Sequence, residues 1–325
     1  MLRIARHAAA GAAAMLLLVQ PVLAENYPTR PIRVIVTFPP GGSTDLLARA
    51  MQPQLEKTLG QPIVIDNRPG AGGDIGVDAV AKAAPDGYTI GIGAAGALAV
   101  NVSLKDKMPY DPQKDLAPIT LLTAIPFVLV AGPGFQGKTL ADVLTMAKSP
   151  SGKLTMGHGG NGTAMHLSSE LFNHLTGANI PLVPYKGSGP AAQDVVAGHI
   201  PLAIVDVPSS LSMIRDNKLR VLGVTSLTRD SHLPDAPTLV EGGVKGYESI
   251  GWFGLIAPAG TPPEIIQKLN KSFVDALNDP VVKERIYQGG GEARPSTPQE
   301  FAAFIQSETA KWGGIIKAAG VKASN

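Results

Sequence analysis

The sequence predicts an α/β protein of two domains, each built on a mainly parallel sheet flanked by helices. Three observations carry this. Short apolar runs of strand length alternate with longer helical runs, and βαβα alternation makes parallel sheets covered by helices. The chain has 325 residues, more than a single core comfortably serves. Its composition, 44% hydrophobic with 37 Gly and 28 Pro, is that of a folded chain with many short connections.

The elements follow in order. Residues 1–24 read as a secretory signal peptide. Arg3 and Arg6 give a positive start, 8–19 is apolar, and Val22, Leu23 and Ala24 form a small-residue cleavage site. The apolar run is short of the ~20 residues a membrane span needs. Residues 32–38 then read as strand, 45–59 as helix, 62–67 as strand and 76–84 as helix. Pro85, Asp86 and Gly87 turn the chain into a strand at 88–93, with helix or loop through Asn101. Residues 119–131 form a long apolar run interrupted by Pro126, which predicts strand, bend, strand. Helices at 140–147, 163–176, 190–197 and 209–217 alternate with strands at 153–157, 182–185, 202–206 and 221–225. An apolar segment at 249–258 precedes helices at 263–278, 280–288 and 298–317. The first and last of these open with Pro inside the first turn. No flexible linker divides the chain. The crossings between domains are expected at 125–131 and 247–252, giving a first domain of 25–127 with 250–325 and a second of 128–249.

Charge and cysteine content exclude several function classes. The 28 basic residues, less Arg3 and Arg6 of the leader, balance the 26 acidic ones. No basic tract suggests nucleic acid or an anionic membrane surface. Without cysteine there is no disulfide, thiol nucleophile or Cys-based metal site.

Three glycine loops each follow a strand and open a helix. They are Phe38-Pro39-Pro40-Gly41-Gly42-Ser43-Thr44-Asp45, His158-Gly159-Gly160-Asn161-Gly162-Thr163 and Tyr185-Lys186-Gly187-Ser188-Gly189-Pro190. A helix start with free N–H groups suits an anion, and ligands of open α/β sheets bind at the carboxyl ends of strands. One helix end contributes about 0.3–1 kcal/mol, whereas micromolar binding needs about 8 kcal/mol. Several charge-assisted hydrogen bonds and apolar contact after closure must supply the rest. No arginine lies in the three loops, so a carboxylate held by neutral donors fits better than one gripped by a guanidinium. Lys186 is the nearest cation.

In this order the motifs resemble the Bug family, periplasmic solute-binding proteins of tripartite tricarboxylate transporters. The resemblance runs through Tyr27-Pro28-Thr29-Arg30-Pro31-Ile32, the first glycine loop, Asn67-Arg68-Pro69-Gly70-Ala71-Gly72-Gly73 and Ala84-Pro85-Asp86-Gly87-Tyr88-Thr89. It continues through Gly160-Asn161-Gly162-Thr163 with His166, Val183-Pro184-Tyr185-Lys186-Gly187, Leu233-Pro234-Asp235-Ala236-Pro237-Thr238 and Trp252-Phe253-Gly254. It implies a Venus-flytrap fold of two α/β domains, with the C-terminal helices returning to the first. It also implies a small carboxylate ligand and integral-membrane transporter subunits as partners. The ligand contacts implied are Phe38, Gly41, Gly42, Ser43, Thr44 and Asp45, with Gly160, Asn161, Gly162, Thr163 and His166. Ala94, Ala95 and Gly96 would line the distal end from one domain, and Asp206 and Val207 from the other. His158 replaces an expected small residue, and Asp206-Val207-Pro208 an Asn-Leu-Pro-like run. A monomer without catalytic residues, metal, cofactor or nucleic-acid partner is expected.

Other motifs point elsewhere. Residues 132–139, Gly132 to Thr139 with Lys138, match the Walker A pattern, and 202–206 resembles a Walker B strand, so a P-loop ATPase stands as an alternative. Pro133 removes one N–H from such a loop. Gly91, Gly93 and Gly96 fit a dinucleotide fingerprint but read as cleft lining. The histidines lack HExxH spacing, and no G-x-S-x-G is present. Trp252 and Phe253 read as hinge-packing core. A ligand sensor for a signalling partner is a further alternative.

Overall fold

The computed structural model describes residues 27–149 and 154–321. The leader at 1–24 and Lys153, expected to start a strand, lie outside the described residues. The first lobe opens with β1 (Ile32–Val36), α1 (Ser43–Leu59), β2 (Ile63–Asn67), a 3-10 turn (Ala71–Gly73), α2 (Asp74–Ala81), β3 (Thr89–Ala94), a π-helical turn (Gly96–Val100) and α3 (Asn101–Leu104). The strand β4 (Leu116–Ala131) leads out of it. The second lobe holds α4 (Leu140–Lys148), β5 (Met156–His158), α5 (Ala164–Thr176), β6 (Leu182–Pro184), α6 (Ser188–Ala197), β7 (Leu202–Asp206), α7 (Val207–Arg215) and β8 (Arg220–Val224). The chain returns through β9 (Ile250–Pro258) and ends with α8 (Pro263–Asn278), α9 (Pro280–Gln288) and α10 (Pro298–Ala319).

The strands hydrogen-bond in the order β2-β1-β3-β9-β4-β7-β5-β6, with β8 also on β4. In the first lobe β2, β1, β3 and β4 run one way and β9 against them. In the second, β5, β6, β7 and β8 run one way and β4 against them. Each sheet is therefore mainly parallel, and the odd strand in each is one that crosses between lobes.

Pro126 does not split its run. β4 is one strand of 16 residues. Pro126 pairs with Ile250 on the last rung shared with β9, and Phe127 starts the pairing with Asp206 of β7. A residue without an N–H thus sits where the ladder changes partner, a position that tolerates proline. Thr225 fastens this crossing. Its Oγ1 accepts the Phe127 N–H at 2.8 Å and donates to the Ser249 carbonyl at 2.6 Å.

Apolar strands bury a core in each lobe, and a further cluster runs through both, from Ile35 and Leu98 to Leu129 and Ile204. Val34, Val36, Ile90 and Ile92 pack with Met51 and Leu55 of α1 and Phe273 of α8. Val128, Val130 and Val205 pack with Ala191 and Val195 of α6 and Leu211 of α7. The long helix α10 is well capped. Thr297 and Glu300 form a reciprocal capping box, and Gly320 ends the helix at φ 64°. Trp312 of α10 packs against Val100 and Leu104 of the first lobe and Leu167 of the second. Glu308 Oε2 accepts the indole N–H groups of both Trp252 (3.0 Å) and Trp312 (3.1 Å). This helix therefore straps the crossing strand β9 and touches both lobes.

Candidate ligand-binding cleft

The three glycine loops leave the ends of β1, β5 and β6 and converge on a cavity of 350 Å³ between the lobes, a size suited to a small molecule. The first loop turns at Gly41 (φ 78°), where a side chain would be strained. Asp45 reaches back to hold it. Its Oδ2 accepts Gly41 N at 2.9 Å and Arg49 Nε at 2.8 Å, and its Oδ1 accepts Asn67 Nδ2 at 3.1 Å. Burial alone would raise the Asp45 pKa, but these hydrogen bonds and the Arg49 charge outweigh it and hold the carboxyl below its usual range. Helix α1 starts after Gly42 with no side-chain cap, and the N–H groups of Ser43, Thr44 and Asp45 meet no acceptor among the described residues.

The second loop is built differently. Two stacked imidazoles, His158 and His166, lie 4.8 Å apart. His158 Nδ1 accepts Gly160 N at 3.2 Å, and His166 Nδ1 lies 3.4 Å from Gly162 N, a long contact. Burial, with the neighbouring His166 charge, pushes the His158 pKa down to about 3, so it is neutral and able to accept. Thr163 caps α5 by accepting His166 N at 3.2 Å. Ala164 N and Met165 N meet no acceptor among the described residues. The loop packs on the first lobe at very close range. A Cβ on Gly96 would lie 2.5 Å from the Gly162 carbonyl oxygen, and one on Gly72 2.6 Å from that of Asn161.

The third loop starts α6 without a side-chain cap, leaving Ser188 N and Gly189 N without acceptors among the described residues. It faces the first loop: a Cβ on Gly187 would touch Pro39 and Phe38 at 3.8 and 3.9 Å. Lys186 is exposed at the cavity and forms no ion pair among the described residues. Asp206, at the end of β7, lines the cavity and caps α7 by accepting Ser209 N at 2.9 Å. Its Oδ2 accepts Ser188 Oγ and, across the cleft, Ser43 Oγ, both at 2.8 Å. Phe38, Ile125, Phe127, Met165, Trp252 and Phe253 supply apolar wall.

Of the residues expected from sequence, Phe38, Gly41, Gly42, Ser43, Ala94, Ala95, Gly96, Thr163 and Asp206 line this cavity. The others do not. Thr44 and Asp45 are buried within the first turn of α1. Gly160 and Asn161 line a neighbouring crevice with Gly70 and Gly72. Gly162 packs on the Asn101 side chain, His166 lies beneath the loop, and Val207 is in the second core. Ile125, Phe127 and Met165 join the wall unannounced. Trp252 and Phe253 are core, as their composition suggested, yet they also line the cavity. The available signal was the pair of predicted crossings, since strands that join two lobes also floor the cleft between them.

The Walker-like segment is not assembled as a nucleotide site. Lys138 N and Thr139 N both donate to Asp142 Oδ2, at 2.8 and 2.9 Å, so the chain's own carboxylate takes those donors. β4 also runs antiparallel to β7, pairing Ala131 with Leu202 and Phe127 with Asp206. The loop after β4 therefore leaves at the opposite end of β7 from Asp206, about 13 Å away at 3.3 Å per residue. Gly91 and Gly93 serve packing: a Cβ there would strike Val80 at 2.4 Å and Leu98 at 2.8 Å. Among the described residues no His, Asp and Glu cluster is arranged to hold a metal, and no helix is long and apolar enough to cross a membrane.

Two α/β lobes joined by crossing strands around a cleft define the class: this is the fold of the periplasmic binding proteins. Residues 47–321 match the model of the tripartite tricarboxylate transporter family receptor, and the chain belongs to that family. It is 41% identical to protein BugT of Bordetella pertussis over 303 residues, 93% of either chain. It resembles Rpa4515 of R. palustris, solved with adipate, at 36% identity and TM-score 0.88, covering 91% of this chain and 99% of that one. It also resembles MatC of Rhodopseudomonas palustris, solved with malate, at 35% identity and TM-score 0.85, covering 89% and 100%.

Proposed function

We propose that the protein captures a small organic acid in this cleft in the periplasm, after export on the 1–24 leader. It then delivers the acid to the integral-membrane subunits of a tripartite tricarboxylate transporter. One observation carries the reading. The starts of α1, α5 and α6, each with N–H groups that have no acceptor among the described residues, border one cavity that also holds the unpaired Lys186. Such donors stabilise an anion without a counter-charge, and the apolar wall covers its carbon chain. The adipate and malate bound by two relatives are acids of this kind.

The proposed contacts are the sequence-expected residues that line the cavity, with Lys186, Ser188 and the apolar wall added. The other expected residues act by shaping the loops. Closure is a population shift driven by contacts that exist only with the lobes together. One chain builds the whole cleft, so a monomer suffices, and no catalytic step is proposed.

A thermal-shift screen of residues 25–325 tests this, with aliphatic and aromatic carboxylates, amino acids and Mg-ATP. A ligand at 100 times its Kd adds about 2.7 kcal/mol, a shift of several degrees. Stabilisation by one class of acid is expected. Stabilisation by Mg-ATP alone would replace this reading with nucleotide binding.

A further inference from the structure

We infer that Asp206 sets the ligand class: the captured acid carries an ammonium group as well as a carboxylate, and acids with a second carboxylate are disfavoured. This rests on the carboxylate-capture reading and specifies it. Among the described residues two ionisable side chains line the cavity, Lys186 and Asp206. Lys186 is exposed, whereas Asp206 is 3% exposed. No cation lies within 4.0 Å of the Asp206 carboxylate among the described residues.

The partners of Asp206 are all neutral. Oδ2 accepts Ser43 Oγ and Ser188 Oγ, both at 2.8 Å, and Oδ1 accepts Ser209 N at 2.9 Å. A carboxylate offers about four acceptor positions, so three are filled and one on Oδ1 stays open. These bonds fix the carboxylate, and the α7 N-terminus that it caps offsets part of its charge, but no cation pairs with it among the described residues. A ligand ammonium would compensate it, and the helix N-termini would take the ligand carboxylate. A second ligand carboxylate would meet a like charge that cannot move away, a repulsive element of the kind that sets specificity.

Asp206 also links the lobes, because Ser43 lies on α1 and Asp206 on β7. Charge and closure can therefore be separated by two variants. Asp206→Asn keeps an oxygen for Ser209 N, and the two serine hydroxyls can rotate to accept from the new amide. Ser43→Ala keeps the charge and removes only the bond across the cleft.

The test is calorimetry of the mature protein with acids of four and six carbons. Each length compares the plain monocarboxylate, the dicarboxylate (succinate or adipate), and the amino acid with its ammonium on the second or the last carbon. In the wild type one ammonium-bearing acid should bind at least tenfold tighter than the dicarboxylate and the monocarboxylate of its length. Asp206→Asn should erase that preference, with circular dichroism unchanged. Ser43→Ala should weaken all ligands alike and keep the preference. A dicarboxylate or monocarboxylate that binds as well as the amino acids in the wild type, or a preference that survives Asp206→Asn, would overturn the assignment and leave carboxylate capture standing. If none of these acids binds, the assignment is overturned, and capture then rests on the aromatic acids of the thermal-shift screen.

Discussion

The first and second glycine loops share one sequence logic and serve different ends. Both follow a strand, turn on glycines and open a helix. In the first, Asp45 holds Gly41 N from behind, and three N–H groups of α1 are left without acceptors among the described residues. In the second, His158 holds Gly160 N, His166 sits under Gly162, and the loop itself is pressed against Gly72 and Gly96 of the other lobe. The first loop presents three such donors to the cavity, whereas the second presents two, Ala164 N and Met165 N, and in addition forms the seam along which the lobes meet. In both, the glycine N–H held from behind, Gly41 N by Asp45 and Gly160 N by His158, is withdrawn, because a donor satisfied from below is not available from above.

The largest effect should come from breaking the seam. Gly96→Ala puts a methyl 2.5 Å from the Gly162 carbonyl oxygen and 3.0 Å from Thr163 Cα, backbone that cannot swing aside. The closed form becomes rare, and apparent affinity falls with its population, by roughly 100-fold if one molecule in a hundred still closes. Small-angle scattering at a ligand concentration that just saturates the wild type should show the lobes of the variant parted. Unchanged affinity would mean that the lobes do not meet here when ligand is bound.

The complementary change belongs to the first loop. Gly42 has φ −76°, which any residue adopts, and a Cβ there would lie 3.2 Å from Pro39 O. The backbone angle at Gly42 suits Val, and the loop must give by only a few tenths of an ångström at Pro39 O, but the branched side chain adds bulk at the cavity wall. Losing one charge-assisted hydrogen bond, about 1.5–3 kcal/mol, weakens binding roughly 10- to 100-fold. The melting temperature should stay nearly constant. Retained affinity would show that this loop only borders the ligand.

Much of this organisation was legible in the sequence. β7 (Leu202–Asp206), α8 (Pro263–Asn278) and α9 (Pro280–Gln288) lie where hydrophobic period and proline placement put them. The three loops were legible because glycine between a strand and a helix has few other uses. Pro126 was misleading, since the same residue that bends an isolated strand fits a rung where the partner strand changes. The fate of each loop was not legible. It depends on whether Asp45 turns backward or into the cavity, and on two histidines eight residues apart in sequence stacking face to face. Nor could the sequence show that Ser43 meets Asp206, 163 residues away.

A smaller effect should sharpen the second loop's role. His158→Leu removes the acceptor of Gly160 N, and a buried unpaired donor costs about 1–3 kcal/mol. Ligand affinity should change by less than the Gly42→Val effect. The pH dependence should change as well. The folded His158 has a pKa of about 3 against 6.5 for the free group, so between those values the unfolded chain binds the extra proton. Its contribution is complete above pH 6.5 and is lost as pH falls toward 3, at up to about 1.4 kcal/mol per pH unit. Urea titrations of wild type and variant at pH 7 and pH 5 separate this slope from that of the carboxylates. Equal slopes would place the low-pH sensitivity elsewhere.

The smallest effect tests the same principle on a fourth loop, the one between β4 and α4. The segment with Lys138 has the sequence of an anion cradle, but Asp142 Oδ2 accepts Lys138 N, Thr139 N and Thr139 Oγ1 at 2.8 to 2.9 Å. A carboxylate from the chain already occupies that place, and an incoming phosphate would have to displace it against like charge. Lys138 is exposed and lies at the end of β4 remote from the cleft. Lys138→Ala should leave both carboxylate affinity and stability unchanged within error, by calorimetry and thermal melting. A loss of carboxylate binding would mean that this loop communicates with the cleft, and satisfaction from behind would then no longer suffice to silence a glycine loop.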